Sequence, residues 1–281
     1  MTDTRHVFFE DPALLEFKGP DAIRFLNGQL TQDVRRVADG TVALPSCVTD
    51  AKGKLQFHIT ITSNNDGALW VVGPPGTASD LEARLTRYLI ADDVEVTDLT
   101  GQFSLIHLIG TPPSTPAGVM ARTCNRFGIP GTDWWIQKDT EIELPGDSSV
   151  LEGDELETLR ITKGIPAWGK ELKEGILPPE AGLDATDISY QKGCYIGQEV
   201  ISRIKSAGKV NKRLMRMEFD ASLPVDALEL VDSEGAAAGE ITSIAPLCGP
   251  ERRVALGYVK RGISEVFAKT PNGILAPIVL L

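Results

Sequence analysis

Eight consecutive residues, Lys192-Gly193-Cys194-Tyr195-Ile196-Gly197-Gln198-Glu199, bring together an ammonium, a thiol, a phenol, an amide and a carboxylate. A cation two residues from a cysteine favours the thiolate, the form that attacks electrophiles, exchanges with disulfides and binds metal. Gly193 and Gly197 allow the backbone a positive φ or a close approach to a ligand. A free cysteine is also often a small buried hydrophobe, and the residue types leave both roles open. Lys192 and the nearby Arg203 suit an anionic ligand or the thiolate. Tyr195 could stack on a ring or wall a pocket. Gln198 and Glu199 suit hydrogen bonds that set the shape of the loop.

The other reactive types are scattered. Cys47, Cys124 and Cys248 are far apart and form no CxxC pair, so neither a disulfide framework nor a local zinc site is expected. His58 and His107 lie in apolar runs and read as satisfied core or half-buried histidines rather than ligands. No hydrolase elbow, P-loop or dinucleotide fingerprint occurs.

These residues need elements to hold them. Ile188–Gln191 reads as a strand end, and 199–204 as a short helix or a further strand. Upstream, Leu14–Phe17 reads as a strand. A helix opens at Asp21, with Ile23, Leu26, Leu30 and Val34 at helical spacing and a break near Gln29–Thr31. Strands follow at Thr41–Thr49, edged by Pro45, at Leu55–Ile61 and at Ala68–Val72, with Asn64–Gly67 as a hairpin turn. A helix capped by Ser79 or Asp80 presents Leu81, Leu85, Tyr88 and Leu89. Val94–Asp98 and Phe103–Ile109 are strands, and the span from Thr41 to Ile109 reads as helix on antiparallel sheet. A proline-rich link, Thr111–Pro116, leads to strands at Val119–Arg126 and Trp134–Gln137. Trp134 and Trp135 point to opposite faces there, one into a core and the other free to wall a pocket. Asp154–Lys163 is a helix stopped by Gly164, followed by an ordered loop to Thr186. Six short strands after 213, separated by turns such as Asp232–Gly235 and Pro271-Asn272-Gly273, argue a small all-β barrel or sandwich.

The 281 residues carry a net charge of −11, which argues against direct nucleic-acid binding, although a local basic pocket remains compatible with it. No apolar run suits a membrane span and the first residues lack a signal pattern, so a cytoplasmic protein is expected.

One tract carries a resemblance. Leu159-Arg160, 164–172, Leu177-Pro178-Pro179-Glu180-Ala181-Gly182-Leu183, Ile188-Ser189, the Lys192–Glu199 octapeptide and Ser202-Arg203 resemble the YgfZ-type relatives of the glycine-cleavage T-protein. So do 17–22, Phe25-Leu26, 30–34, 238–243 and 255–259, so the resemblance covers nearly the whole chain. It implies an α+β fold of three lobes in a cloverleaf, with a C-terminal antiparallel β-barrel. The expected division is 1–205 for the folate-binding lobes and 206–281 for the barrel. It implies tetrahydrofolate, or a one-carbon derivative, as cofactor. It further implies work in iron–sulfur cluster assembly or repair, with iron–sulfur proteins or assembly factors as partners and tRNA-modifying enzymes among the clients. Cys194 is then the functional residue, with Lys192, Tyr195, Gln198, Glu199, Arg203, Glu180 and Asp33 toward the folate.

Two departures weigh on that reading. T-protein transferases carry an acid in the strand after a Gly-Gly turn, whereas 53–58 holds no carboxylate around Phe57. Loss of such a group costs a transferase orders of magnitude in rate. Thr162 stands where many members have a glutamate for the pterin, and losing that bidentate contact weakens binding by about 1.5–3 kcal/mol. The alternatives are a folate-dependent aminomethyl or other one-carbon transferase or demethylase, and a protein-binding scaffold that has lost folate.

Overall fold

The computed structural model describes residues 5–9, 12–110, 114–144, 148–223, 229–247, 249–269 and 275–281. The turn at Pro271-Asn272-Gly273, Cys248, and the first residues of the Thr111–Pro116 link lie outside the described residues. The chain forms two compact units, residues 1–151 with 184–202, and residues 152–183 with 203–281.

In the first unit, strands β1 (Arg5–Phe9) and β2 (Ala13–Lys18) precede helix α1 (Ala22–Gln29). Then come β3 (Leu44–Thr49), β4 (Leu55–Ser63), β5 (Leu69–Gly73), α2 (Ala78–Thr86), β6 (Glu95–Asp98), β7 (Phe103–Ile109), β8 (Met120–Cys124), β9 (Gly131–Gln137) and β10 (Ser149–Val150). One sheet has the order β3-β4-β5-β2-β6, the other β10-β1-β7-β9-β8. The expected single sheet over Thr41–Ile109 is therefore corrected, because β7 pairs with β1 and β9 in the second sheet.

Burial explains the layering. Phe17, Phe25, Leu26, Ile61, Leu81 and Leu85 form a core in which α1 and α2 cover the first sheet. Leu14, Trp70 and Val72 meet Leu105, Met120 and Trp135 of the second sheet. Trp70 and Trp135 make an edge contact at 5.4 Å. Trp134 lies on the opposite face with Ile106, Leu108 and Ile136. Both tryptophans are buried, so both are core residues. Ile23 and Tyr88, counted in the helical stripes, are exposed. The residue before α2 is Thr77, so Ser79 and Asp80 lie inside the helix rather than capping it. Pro45 sits in the terminal strand β3, where a missing donor is tolerated.

The second unit holds α3 (Gly153–Thr162), a 3₁₀ turn at Pro178–Ala181, and a closed barrel. Its strands are β11 (Lys212–Asp220), β12 (Glu229–Val231), β13 (Ala237–Ile244), β14 (Arg252–Lys260), β15 (Val266–Lys269) and β16 (Leu275–Leu280). The ring order is β11-β14-β13-β12-β15-β16, all antiparallel. Met217, Phe219, Leu230, Ala255, Val266 and Ile278 fill it. The predicted α+β class and the C-terminal barrel are thus borne out. Helix α4 spans Gln198–Ala207.

Candidate functional site

The Lys192–Glu199 loop is built onto the edge of the first sheet. Helix α1 ends because Leu30 turns to extended backbone and bridges Val48 of β3. The next amide, Thr31 N, donates to the Cys47 carbonyl at 3.0 Å, and Ser189 N donates to the Thr31 carbonyl at 3.0 Å. Residues 30–31 and then 187–189 therefore extend the hydrogen bonding beyond β3 and cover its edge. Ile188–Gln191 is not a regular strand, which corrects that expectation; the bonds it makes to the α1–β3 connection hold it instead. Of the two forms left open for 199–204, the helix is the one observed.

Lys192 is the main tie. Its ammonium donates to the carbonyls of Asn27 at 2.7 Å, Leu30 at 2.6 Å and Gln32 at 2.8 Å. These carbonyls surround the end of α1, where backbone acceptors lack helical donors. Burial pushes the Lys192 ammonium down to about 7, while Asp33 pulls the other way and Arg35 adds to the lowering. The three carbonyl acceptors favour the charged form. All three protons are spent on backbone, so Lys192 serves as an anchor and not as the expected partner of a thiolate or a folate carboxylate.

Cys194 itself is exposed, whereas Cys47 and Cys124 are buried. On its C-terminal side, Ile196 N donates to the Gly28 carbonyl at 3.2 Å and Thr49 Oγ1 donates to the Ile196 carbonyl at 2.6 Å. Gly197 adopts φ +86, and a Cβ there would meet the Asp50 oxygen at 2.5 Å and the Gly53 Cα at 2.9 Å. Gly193 has no positive φ and open space around it, so of the two glycines only Gly197 is required by conformation. Tyr195 is buried with Ile188, Tyr190 and Ile201 and takes the wall role. Burial raises its phenol well above the ordinary range.

The remaining candidates separate. Gln198 and Glu199 open α4, where the Glu199 carboxylate suits the helix N-terminus. Asp33 caps the 3₁₀ turn at Val34–Val37 and pairs with Arg35 at 2.7 Å; this bond holds its carboxyl below the usual range. In the second unit, Glu180 is buried and its Oε2 accepts from Leu177 N at 3.3 Å. Its Oε1 has no partner among the described residues. Arg203 is exposed on α4. Arg160 is an ion-pair residue: it bonds Glu157 and Glu171 at 2.7 Å each, and donates to Ser243 Oγ at 2.9 Å. Thr162 is exposed, and its carbonyl accepts from Arg216 at 2.7 Å.

Two clusters were not visible in the sequence. His58 Nε2 lies 2.6 Å from Asp187 Oδ2, with His58 27% exposed and Asp187 2% exposed. Thr186 Oγ1 donates to the other Asp187 oxygen at 2.5 Å, and Thr31 Oγ1 donates to the Asp187 carbonyl at 2.7 Å. Strand β4 carries no acid of its own around Phe57, yet the fold delivers a carboxylate to the next residue. No spacing could have signalled this, since the partners are 129 positions apart.

The second cluster is His107, Cys124 and Asp133, whose ligand-type atoms lie within 4.8 Å of one another. Arg126 grips the Asp133 carboxylate at 2.6 Å, and His107 Nδ1 sits 2.9 Å from it. Burial works to raise the Asp133 carboxyl, but the charge and bonds of Arg126 and His107 bring it below the usual range. A guanidinium on the carboxylate makes this a paired ionic core rather than a cation site.

Against known proteins, the chain is 29% identical over 249 residues to the tRNA-modifying protein YgfZ of Sodalis glossinidius (strain morsitans), covering 80% of this chain and 75% of that protein. To the tRNA-modifying protein YgfZ of Escherichia coli (strain K12 / DH10B) it is 28% identical over 226 residues, covering 73% and 69%. Among solved structures, the glycine cleavage system aminomethyltransferase T from Bartonella henselae matches with a TM-score of 0.78 at 18% identity, over 99% of this chain and 85% of that one. At that identity the match shows the fold alone. No family model matches. The resemblance read along nearly the whole chain is borne out by these similarities.

Proposed function

We propose, from the likeness to the YgfZ proteins and the geometry around Cys194, that the chain is a tetrahydrofolate-binding protein acting in the cytoplasm in iron–sulfur cluster assembly or repair, with Cys194 as its working thiol. One observation carries this reading. The loop is tied down on both sides of Cys194, by the three carbonyl bonds of Lys192 and by the Ile196 and Gly197 contacts, while the cysteine itself is left exposed. A reactive group on an otherwise immobilised backbone is what a preorganised site requires.

The residues present fit a folate at specific points. Glu180 offers a buried carboxylate with one unbonded oxygen, the kind of acceptor that pterin N–H donors need. Arg203 offers an exposed cation for the glutamyl carboxylates. Tetrahydrofolate, when bound, supplies a carrier for one-carbon units. The chain's own part is to orient that carrier and to present the Cys194 thiol. The relatives are named for tRNA modification. With a net charge of −11, this chain would reach tRNA through an iron–sulfur enzyme as client and not by binding it.

The test is anaerobic calorimetric titration with tetrahydrofolate. Saturable one-to-one binding in the micromolar range supports the reading, and a folded sample that takes up none at millimolar ligand overturns its folate part. In cells, Cys194→Ala should lower iron–sulfur enzyme activity; full activity would favour a scaffold that works without the thiol.

A second reading, a folate-dependent one-carbon transferase or demethylase, is favoured by the His58–Asp187 pair. That pair sets a carboxylate beside the imidazole of a strand whose own sequence lacks the acid. Formaldehyde or methylene-folate release from small N-methyl substrates, sustained in the native protein and lost in His58→Gln, would support it.

A further inference from the structure

We infer that the barrel carries a second binding site, separate from the Cys194 loop, for a small organic anion: a phosphate or carboxylate head on an apolar body. The site is a cavity of about 320 Å³ at the end of the barrel where β11 begins and β14 ends. A volume of this size lies at the lower end for small-molecule pockets. Its apolar lining comes from Val210, Met215, Val259 and Leu280, and its charge from Arg213, Lys260 and Arg261.

The charge pattern is what calls for an anion. Lys212 and Lys260 are direct partners across β11 and β14, with Arg213 and Arg261 the next residues along. Like charges placed opposite each other repel, and four cations crowd here in a chain whose balance is acidic. Two of them are relieved within the barrel. Lys212 sits 4.1 Å from the Tyr258 ring and 3.4 Å from Glu240, and Lys260 donates to the Ala237 carbonyl at 2.8 Å. The side chains of Arg213 and Arg261 have no partner among the described residues. Two free guanidinium groups at the mouth of an apolar hollow suit an oxyanion that arginine can grip with paired N–H bonds. The hollow beneath would take the attached apolar part.

Met215 makes the site measurable. The chain has four methionines. Met215 lines the cavity, Met217 points into the barrel core and Met120 lies in the first unit. The full-length protein, labelled with ¹³C at the methionine methyls, is titrated with n-hexyl phosphate, heptanoate, hexanol and inorganic phosphate. The expected result is a saturable shift of the Met215 methyl with one or both amphipathic anions and a still Met120. Hexanol and inorganic phosphate should each bind about tenfold more weakly or less. Arg213→Ala and Arg261→Ala should each weaken binding about tenfold, the loss of one charge-assisted contact. Both arginines are exposed, and unchanged Met217 and Met120 signals report that the variants fold. The proposal is overturned by a Met215 signal that stays still through the millimolar range. It is overturned equally if hexanol or inorganic phosphate alone matches the amphipathic anions, or if binding survives removal of both arginines.

Discussion

The carboxylate of Asp187 stands 2.6 Å from Nε2 of His58, linking the segment before the thiol loop to the second strand of the first sheet. With Asp187 buried and Thr186 donating to its other oxygen, the carboxylate fixes which ring nitrogen of His58 faces it, and a neutral imidazole there is expected to keep its proton on Nε2. Asp187→Ala should cost about 1 kcal/mol, because it removes the buried acceptor of two partly exposed donors, His58 and Thr186. Urea unfolding measures the loss, and ¹⁵N spectra of His58 should pass from one tautomer to a mixture. An unchanged tautomer would deny Asp187 this orienting role.

Lys192 bonds three carbonyls that have no other obvious donor at the end of α1. Lys192→Met should therefore lower stability by about 2–4 kcal/mol, as expected when bonds to a buried cation are removed and their acceptors stay behind. Lys192→Arg should recover little, since a planar guanidinium cannot point at three acceptors arranged around a single nitrogen. Chemical denaturation of both variants checks this; a methionine variant as stable as the parent would remove the anchor role.

Gly197 and Gly193 make a matched pair. Gly197→Ala places a Cβ 2.5 Å from the Asp50 oxygen in a backbone that already has φ +86. It should cost about 1–3 kcal/mol or more from strain, and it should loosen the loop that presents Cys194. Gly193→Ala meets nothing within 4 Å and should be close to neutral. Thermal unfolding of the two variants should rank them in that order, and equal transitions would contradict the close approach.

Glu157 is held down to about 2 by its bond to Arg160, helped by Lys170. A depressed carboxyl stabilises above its ordinary value and loses that contribution as pH falls through its folded value. The native protein should therefore lose stability between about pH 4.5 and 2 in excess of Glu157→Gln. Solvent screening limits this share to about 1 kcal/mol. Parallel acid titrations followed by circular dichroism, with the two curves converging at the acid end, are the expected result. Curves that stay parallel would place the acid sensitivity elsewhere.

Local pattern was enough for much of the fold. Period-two runs and turn residues located the barrel strands after 213 to within a few residues, because each strand is specified by its own alternation and by the turn beside it. The break after Gln29 was also legible, since Asn27, Gly28, Thr31 and Asp33 weaken one helix and cap the next turn. Sheet membership was not. The strand pattern of β7 says that it pairs, and only the competition for partners assigned it to β1 and β9. The same held for Trp134 and Trp135, whose alternation placed them on opposite faces without revealing that both faces are covered.

The candidate site divides in the same way. Its chemical inventory belongs to the sequence alone: a cysteine between two glycines, with a lysine and an acid nearby, is written in eight adjacent residues. What each group does was decided by tertiary structure, because side-chain roles depend on partners far away in the chain. Lys192 became an anchor when carbonyls about 160 residues upstream accepted its hydrogen bonds. Asp187, unremarkable among its neighbours, became the carboxylate of β4 because folding set it over His58. Cys194 stayed exposed because Lys192 before it and Ile196 and Gly197 after it are held against the α1–β3 and β3–β4 connections.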